Sequence, residues 1–195
     1  MKTVAHKYKD LKVMIIESVE ASFILARDVL ATFGITQFYP VSDIQKGFDA
    51  YRYYNPDIIL IGILENFDAG IALTKQIRLG KDSPDPVIPI IFMMGTPTRG
   101  QVFGSRDAGV SEFLIKPYSA HGLYQKLEGV IDHPGTFVKT EDFFGPDRRG
   151  KREAPVFAGE NRRTKAPLIV DAKEARRLLK AHFQSKHSIG DGDKE

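Results

Sequence analysis

Acidic, hydroxyl-bearing and amine side chains stand at the ends of apolar runs in this chain, where successive strands would deliver them to one edge of a sheet. Glu17 and Ser18 follow KVMII, Gly62 ends NPDIILIG, Met94 and Gly95 close VIPIIFMMG, and Lys116-Pro117 follows EFLI. Other chemistries have little to work with. There is no cysteine, so thiolate zinc sites, disulfides and a cysteine nucleophile are excluded. The five histidines, at 6, 121, 133, 182 and 187, are dispersed, and the nearest pair has no third ligand. The sequence contains no G-x-G-x-x-G, P-loop, G-x-S-x-G or H-E-x-x-H pattern, and the terminal DGDK is too short for a calcium loop.

The elements that would position these residues are legible in the hydropathy pattern. The chain has 195 residues, of which 42% are hydrophobic, enough for one domain with an appendage. KVMII (12–16), QFYPV (37–41), the run DIILIG from Asp57, VIPIIFMM (87–94) and EFLIK (112–116) read as strands. Between them lie helical patterns: 19–33 with Ala21, Ile24, Leu25, Val29, Leu30 and Phe33, then 43–54 with Ile44, Phe48 and Tyr51 after a Ser42/Asp43 cap. Further helices carry Ile71, Leu73, Thr74 and Ile77, then 97–108, and finally 118–130 with Leu123, Leu127 and Val130. Strands that are apolar along their whole length, alternating with helices, predict an α/β domain: a flavodoxin-like, doubly wound, five-stranded parallel sheet over 10–131.

The longest apolar runs fall short of the about 18–20 residues that span a bilayer, and MKTVAHKYKDLK is too polar for a signal peptide, so a cytoplasmic protein is expected. The segment 132–169 has Pro and Gly throughout and no apolar period, so it reads as a mostly extended linker. A short helix is expected at 171–184, within a 170–195 end that frays. Residues 1–130 carry 14 basic and 14 acidic side chains, whereas 131–195 carry 14 and 11, so the positive excess lies in the tail.

Four segments in order, KVMIIES, NPDIILIG with Asp68 and Gly70, IPIIFMMGT and GVSEFLIKPY, resemble the receiver domain of two-component response regulators over about residues 10–131. The resemblance implies a phosphorylation site: two acids holding magnesium after the first strand, an aspartate nucleophile after the third, a hydroxyl after the fourth and a lysine after the fifth. The ion neutralises the transferring group, and the lysine and hydroxyl bind its oxygens. Here Glu17 and Lys116 match. Ser18 replaces the second acid, Gly62 the phosphoacceptor and Met94 the hydroxyl, with Thr96 two residues on. A glycine cannot form an acyl phosphate, and Glu17 alone is a poor hard-cation site, so no cofactor is expected and magnesium is doubtful. Lys116 has two readings: Lys-Pro fixes the loop after the fifth strand, or Lys116 pairs with Glu17 and neutralises an emptied cleft.

The implied function is a degenerate receiver, not an enzyme, that signals by protein–protein contact, as a monomer or weak homodimer. The face implied by the family is the fourth helix, fifth strand and fifth helix, with Phe113 at the aromatic switch position and Tyr118 and Tyr124 as contact aromatics. One alternative is phosphorylation on a displaced carboxylate, Glu65 or Asp68. Asp57, at the opposite end of the third strand, reads as structural. The tail segment FFGPDRRGKRE resembles an FGPDRR-type segment that follows some bacterial stand-alone receivers. Its Phe143, Phe144, Arg148 and Arg149 suit docking on a partner or on the core, and a basic-tail nucleic-acid adaptor is the third reading.

Overall fold

A computed structural model describes residues 7–63, 66–147 and 168–177. The chain runs β1 (Lys12–Ile16), α1 (Glu20–Ala31), β2 (Gln37–Val41), α2 (Gly47–Tyr54), β3 (Ile58–Ile63), α3 (Phe67–Leu79), β4 (Ile90–Met94), α4 (Arg99–Ala108), β5 (Glu112–Ile115) and α5 (Ala120–Ile131). The five strands form one parallel sheet in the order β2-β1-β3-β4-β5. Alternate residues feed two cores. Val13, Ile15, Leu60, Ile91, Met93 and Leu114 pack with Leu30, Leu123 and Leu127 on one face. Met14, Ile16, Ile59, Ile61, Phe92 and Met94 pack with Tyr51, Leu73 and Ile77 on the other. Burial on both faces is why these strands lack a polar alternation. Among the described residues no helix is long and apolar enough to cross a membrane.

Several element boundaries shift for local reasons. β4 begins at Ile90 and not at Val87, because the carbonyls of Pro86 and Ile88 are taken by the Arg78 guanidinium, each at 2.8 Å, and Pro89 has no N–H to give a ladder. Asp43 accepts the Gln45 N–H at 2.9 Å and starts a 3-10 turn at Ile44–Lys46, so α2 proper begins at Gly47 and stops where Asn55 takes a left-handed conformation. Thr98 and Gln101 form a capping box that starts α4 at Arg99, and Ser119 caps α5. On α1 the core-facing stripe is Phe23, Ala26, Val29 and Leu30, continued past its end by Phe33, while Ile24 and Leu25 face outward. This helix carries apolar residues on two adjoining stripes, so its period alone does not choose between them.

The tail differs most from expectation. After α5 the chain forms β6 (Thr136–Lys139) and β7 (Phe144–Pro146), and β8 (Leu168–Asp171) joins them in an antiparallel sheet of order β7-β6-β8. The backbone is extended as expected, but it is paired. Phe137 and Phe144 are buried against Val87 and Ala172 in a third apolar cluster. Gly109, in the left-handed region with φ of 94°, lies so close to β7 that an added Cβ would stand 2.7 Å from the Phe144 carbonyl oxygen. Phe137 and Phe144 pack on each other, with ring centroids 5.5 Å apart, as well as on Val87, and strands of three or four residues are too short for an alternation to mark them in the sequence. A helical turn begins at Ala172; the rest of the predicted 171–184 helix, from 178 on, lies outside the described residues.

Candidate functional site

At the C-terminal edge of the sheet, β1 and β5 bring the two charged candidates together. The Glu17 N–H donates to the Val41 carbonyl at 2.9 Å, and the Lys116 N–H donates to the Met94 carbonyl at 2.6 Å, which ties both residues to neighbouring strands. The Lys116 ammonium donates to Glu17 Oε2 at 2.6 Å, and Glu17 Oε1 accepts the Val19 N–H at 3.0 Å. Of the two readings of Lys116, the ion pair is present in the structure. The Glu17 side chain is 1% exposed and that of Lys116 25%. The peptide bond between Lys116 and Pro117 is cis.

The Glu17 carboxylate also fills the space above Gly62. A Cβ added at position 62 would lie 2.5 Å from Glu17 Cδ and 3.0 Å from Oε1, and it would collide with Oε2 as well. The side-chain volume that a residue at 62 would need is thus held by an acid from the neighbouring strand. Ser18 is exposed, and Met94 is buried in the second core with no hydroxyl to offer. These donors do not fit a divalent cation: one carboxylate is already committed to an ammonium and a backbone N–H, and Ser18 stands where a second acid would follow it. Among the described residues no group of three metal-ligating side chains exists. Asp68 is exposed in the first turn of α3, and Glu65 lies outside the described residues.

An expected outcome follows for Lys116→Met. It leaves a buried carboxylate without counter-charge, at a cost of about 3 kcal/mol. Urea denaturation reads the loss, and adding Glu17→Gln should recover most of it. An unchanged midpoint in the single variant would show that the pair carries no stability.

The three aromatics expected on the contact face are all partly buried. Tyr124 is wedged beside Tyr8 and Phe33, with ring centroids 6.1 and 5.2 Å away, and its hydroxyl donates to Glu128. Tyr118 is half-buried on the first core, where burial and, second, the nearby Glu17 carboxylate push its hydroxyl pKa up. Phe113 packs against the second core. The apolar side chains left exposed on this face are Phe103 and Ile115, each 47% exposed, with the Arg99 guanidinium 5.3 Å from the Phe103 ring centroid. The α4 pattern carries Phe103 in plain view, but a weakly apolar helix gives no indication of which side its one ring faces. In the tail, Phe144 is buried and Phe143 half-buried, whereas Arg148 and Arg149 lie outside the described residues.

Sequence reasoning missed a polar cluster at the opposite edge of the sheet. Arg78 is buried and donates to the carbonyls of Gly109, Pro86 and Ile88 and to Ser111 Oγ, with the Phe137 ring 5.2 Å away. Burial pulls its pKa down to about 10 despite the opposing pull of Asp85. Asp57, the structural residue of the sequence reading, accepts the Lys12 N–H at 3.0 Å. The sequence signal for this cluster was weak: an arginine on an otherwise apolar helix face, followed by a loop of Pro and Asp.

No family model matches this sequence. The transcriptional regulatory protein CseB of Streptomyces avermitilis is 24% identical over 143 residues, 69% of this chain and 59% of that protein, so the chain spans less than two thirds of this relative. The chemotaxis protein CheY-3 of Vibrio cholerae is 20% identical over 124 residues, covering 64% of this chain and 94% of the relative. Among solved structures, a putative response regulator from Chloroflexus aurantiacus superposes with a TM-score of 0.57 at 15% identity, covering 63% of this chain and 98% of that one. The receiver domain of a Pseudomonas aeruginosa sensor histidine kinase, solved with magnesium in its active-site cleft, gives 0.52 at 21% identity, covering 60% and 94%. The fold is the one that these receiver and response-regulator structures share, and the relatives matched in sequence are a transcriptional regulatory protein and a chemotaxis protein. In this chain the Glu17 carboxylate, paired with Lys116, occupies the space over Gly62 at the C-terminal edge of the sheet.

Proposed function

We propose that the chain is an atypical receiver, a pseudo-receiver that transmits signals in the cytoplasm by protein contact, without aspartyl phosphorylation and without catalysis of its own. One juxtaposition carries this reading: the Glu17 carboxylate occupies the space over Gly62 and holds Lys116 at 2.6 Å. The ammonium that would bind a phosphoryl oxygen is neutralised by an acid of its own chain, and Met94 offers no hydroxyl. The pair also links the ends of β1 and β5, so the loop leading to α5 has a fixed partner in place of a transferable one. The signalling relatives, CseB and CheY-3, support a regulatory role.

The contact surface in this proposal is the face made by α4 and β5. Phe103 and Ile115 are exposed there, and Arg99 and Arg106 are exposed on the same helix. That combination suits a protein partner with an apolar centre and an acidic rim. Incubation with a small phosphodonor and magnesium, read by intact mass, is expected to add no phosphoryl group. A gain of one phosphoryl group that disappears on changing Glu65 or Asp68 would replace this reading with phosphorylation on a displaced carboxylate. The basic stretch with Arg148 and Arg149 lies outside the described residues, so the nucleic-acid reading gains no support from the described ones.

A further inference from the structure

At the edge of the sheet far from Glu17, the segment Leu168–Arg177 crosses the starts of β3 and β4. β8 pairs antiparallel with β6, Thr136 opposite Asp171 and Lys139 opposite Leu168. Asp171 then accepts the Glu174 N–H at 2.8 Å and opens the helical turn that brings Arg176 inward. Arg176 Nη2 donates to the Asp57 carbonyl at 2.7 Å and lies 3.7 Å from Asp57 Oδ1, while Nε donates to Asp85 Oδ2 at 3.0 Å.

We propose that Leu168–Arg177 is an intramolecular ligand: a strap that adds to β6 as an edge strand and seats Arg176 in a ready-made acidic socket of Asp57 and Asp85. The socket and the edge of β6 then form a binding site for an extended, arginine-bearing peptide, occupied in this chain by the chain's own strap.

Two features support a separable ligand over an integral part of the core. The socket is organised by bonds that do not involve the strap. Asp57 Oδ2 accepts the Lys12 N–H at 3.0 Å, Asp85 Oδ1 accepts the Val87 N–H at 3.1 Å, and each aspartate turns its other oxygen toward Arg176. Several acceptors around one guanidinium match the fork of an arginine and not the point charge of a lysine. The strap's apolar hold is also slight. Leu168 and Ile169 are 61% and 53% exposed, and only Val170, Ala172 and Ala175 reach the third apolar cluster. β6 and β7, by contrast, bury Phe137, Val138 and Phe144. Segments with few buried apolar contacts open locally at low free energy, so β8 and its turn are the part of this appendage that can leave while β6 and β7 stay.

The test uses the full chain, its Arg176→Met and Arg176→Lys variants, and a labelled peptide with the sequence of residues 168–177. In the parent the tethered strap competes at high effective concentration, so the added peptide binds poorly. In both variants amide exchange is expected to quicken in Thr136–Lys139 and Leu168–Asp171 alone, and the peptide is expected to bind at least tenfold more tightly than to the parent. A peptide with methionine at the Arg176 position should lose at least that tenfold. Faster exchange throughout the five-stranded sheet would make the strap part of the cooperative core and overturn the proposal. Unchanged exchange, or peptide binding that is absent or equal in parent and variants, would overturn it as well.

Discussion

Changing Gly62 to Asp is expected to yield a chain that is less stable than the parent and still takes no phosphoryl group. The obvious repair of a receiver cleft fails here because the space is already used: a Cβ at 62 would stand 2.5 Å from Glu17 Cδ. The contact is with the end of a side chain, which ordinarily moves aside at little cost. This one is buried, paired to Lys116 and bonded to the Val19 N–H, so moving it breaks both interactions. Overpacking together with a second buried carboxylate beside the first should cost about 2–4 kcal/mol. Chemical denaturation measures that loss. Intact mass after exposure to a phosphodonor and magnesium measures the chemistry, and Glu17→Asp in the same chain should return part of the stability by shortening the obstructing side chain. Rapid magnesium-dependent phosphorylation of Gly62→Asp would show that Glu17 yields easily and that neither an acid at 18 nor a hydroxyl at 94 is needed.

Deleting residues 132–195 is expected to cost more than about 3 kcal/mol and to lower the denaturant m-value, since less surface is then buried on folding. The sequence alone suggests that 1–131 closes its own core and keeps most of its stability without the tail, with packing of Phe143 and Phe144 on the core as the alternative. The burial of the tail's apolar residues argues for the larger loss. Phe137, Val138 and Phe144 are buried, and side chains of this kind contribute about 1.5–3 kcal/mol each. Removing Phe137 also uncovers Arg78, whose guanidinium lies 5.2 Å from that ring and is bonded to four groups of the core. A truncated chain with the parent's midpoint and slope would mean that the small sheet merely leans on the domain.

The parallel strands and their helices were legible because most leave a local mark: a continuous apolar run in β1, β3 and β4, where both faces are buried, and a period of 3.6 where one face of a helix is. That Gly62 and Ser18 carry no carboxylate and Met94 no hydroxyl was legible too, wherever these residues point. What those side chains leave behind was not. That Glu17 turns over Gly62, that Tyr124 is spent on Tyr8 and Phe33, and that Arg176 reaches Asp57 and Asp85 are all pairings between residues far apart in the chain. The tail shows the contrast most plainly. FVK and FGP have no period long enough to read, and they become strands because the core offers Val87 and the backbone of Gly109 as a floor. Local patterning determined which elements form in the α/β domain and which functional groups stand at the ends of its strands. Tertiary packing decided what fills the cleft and what the tail covers, because burial and charge pairing depend on partners that only the folded chain brings within reach.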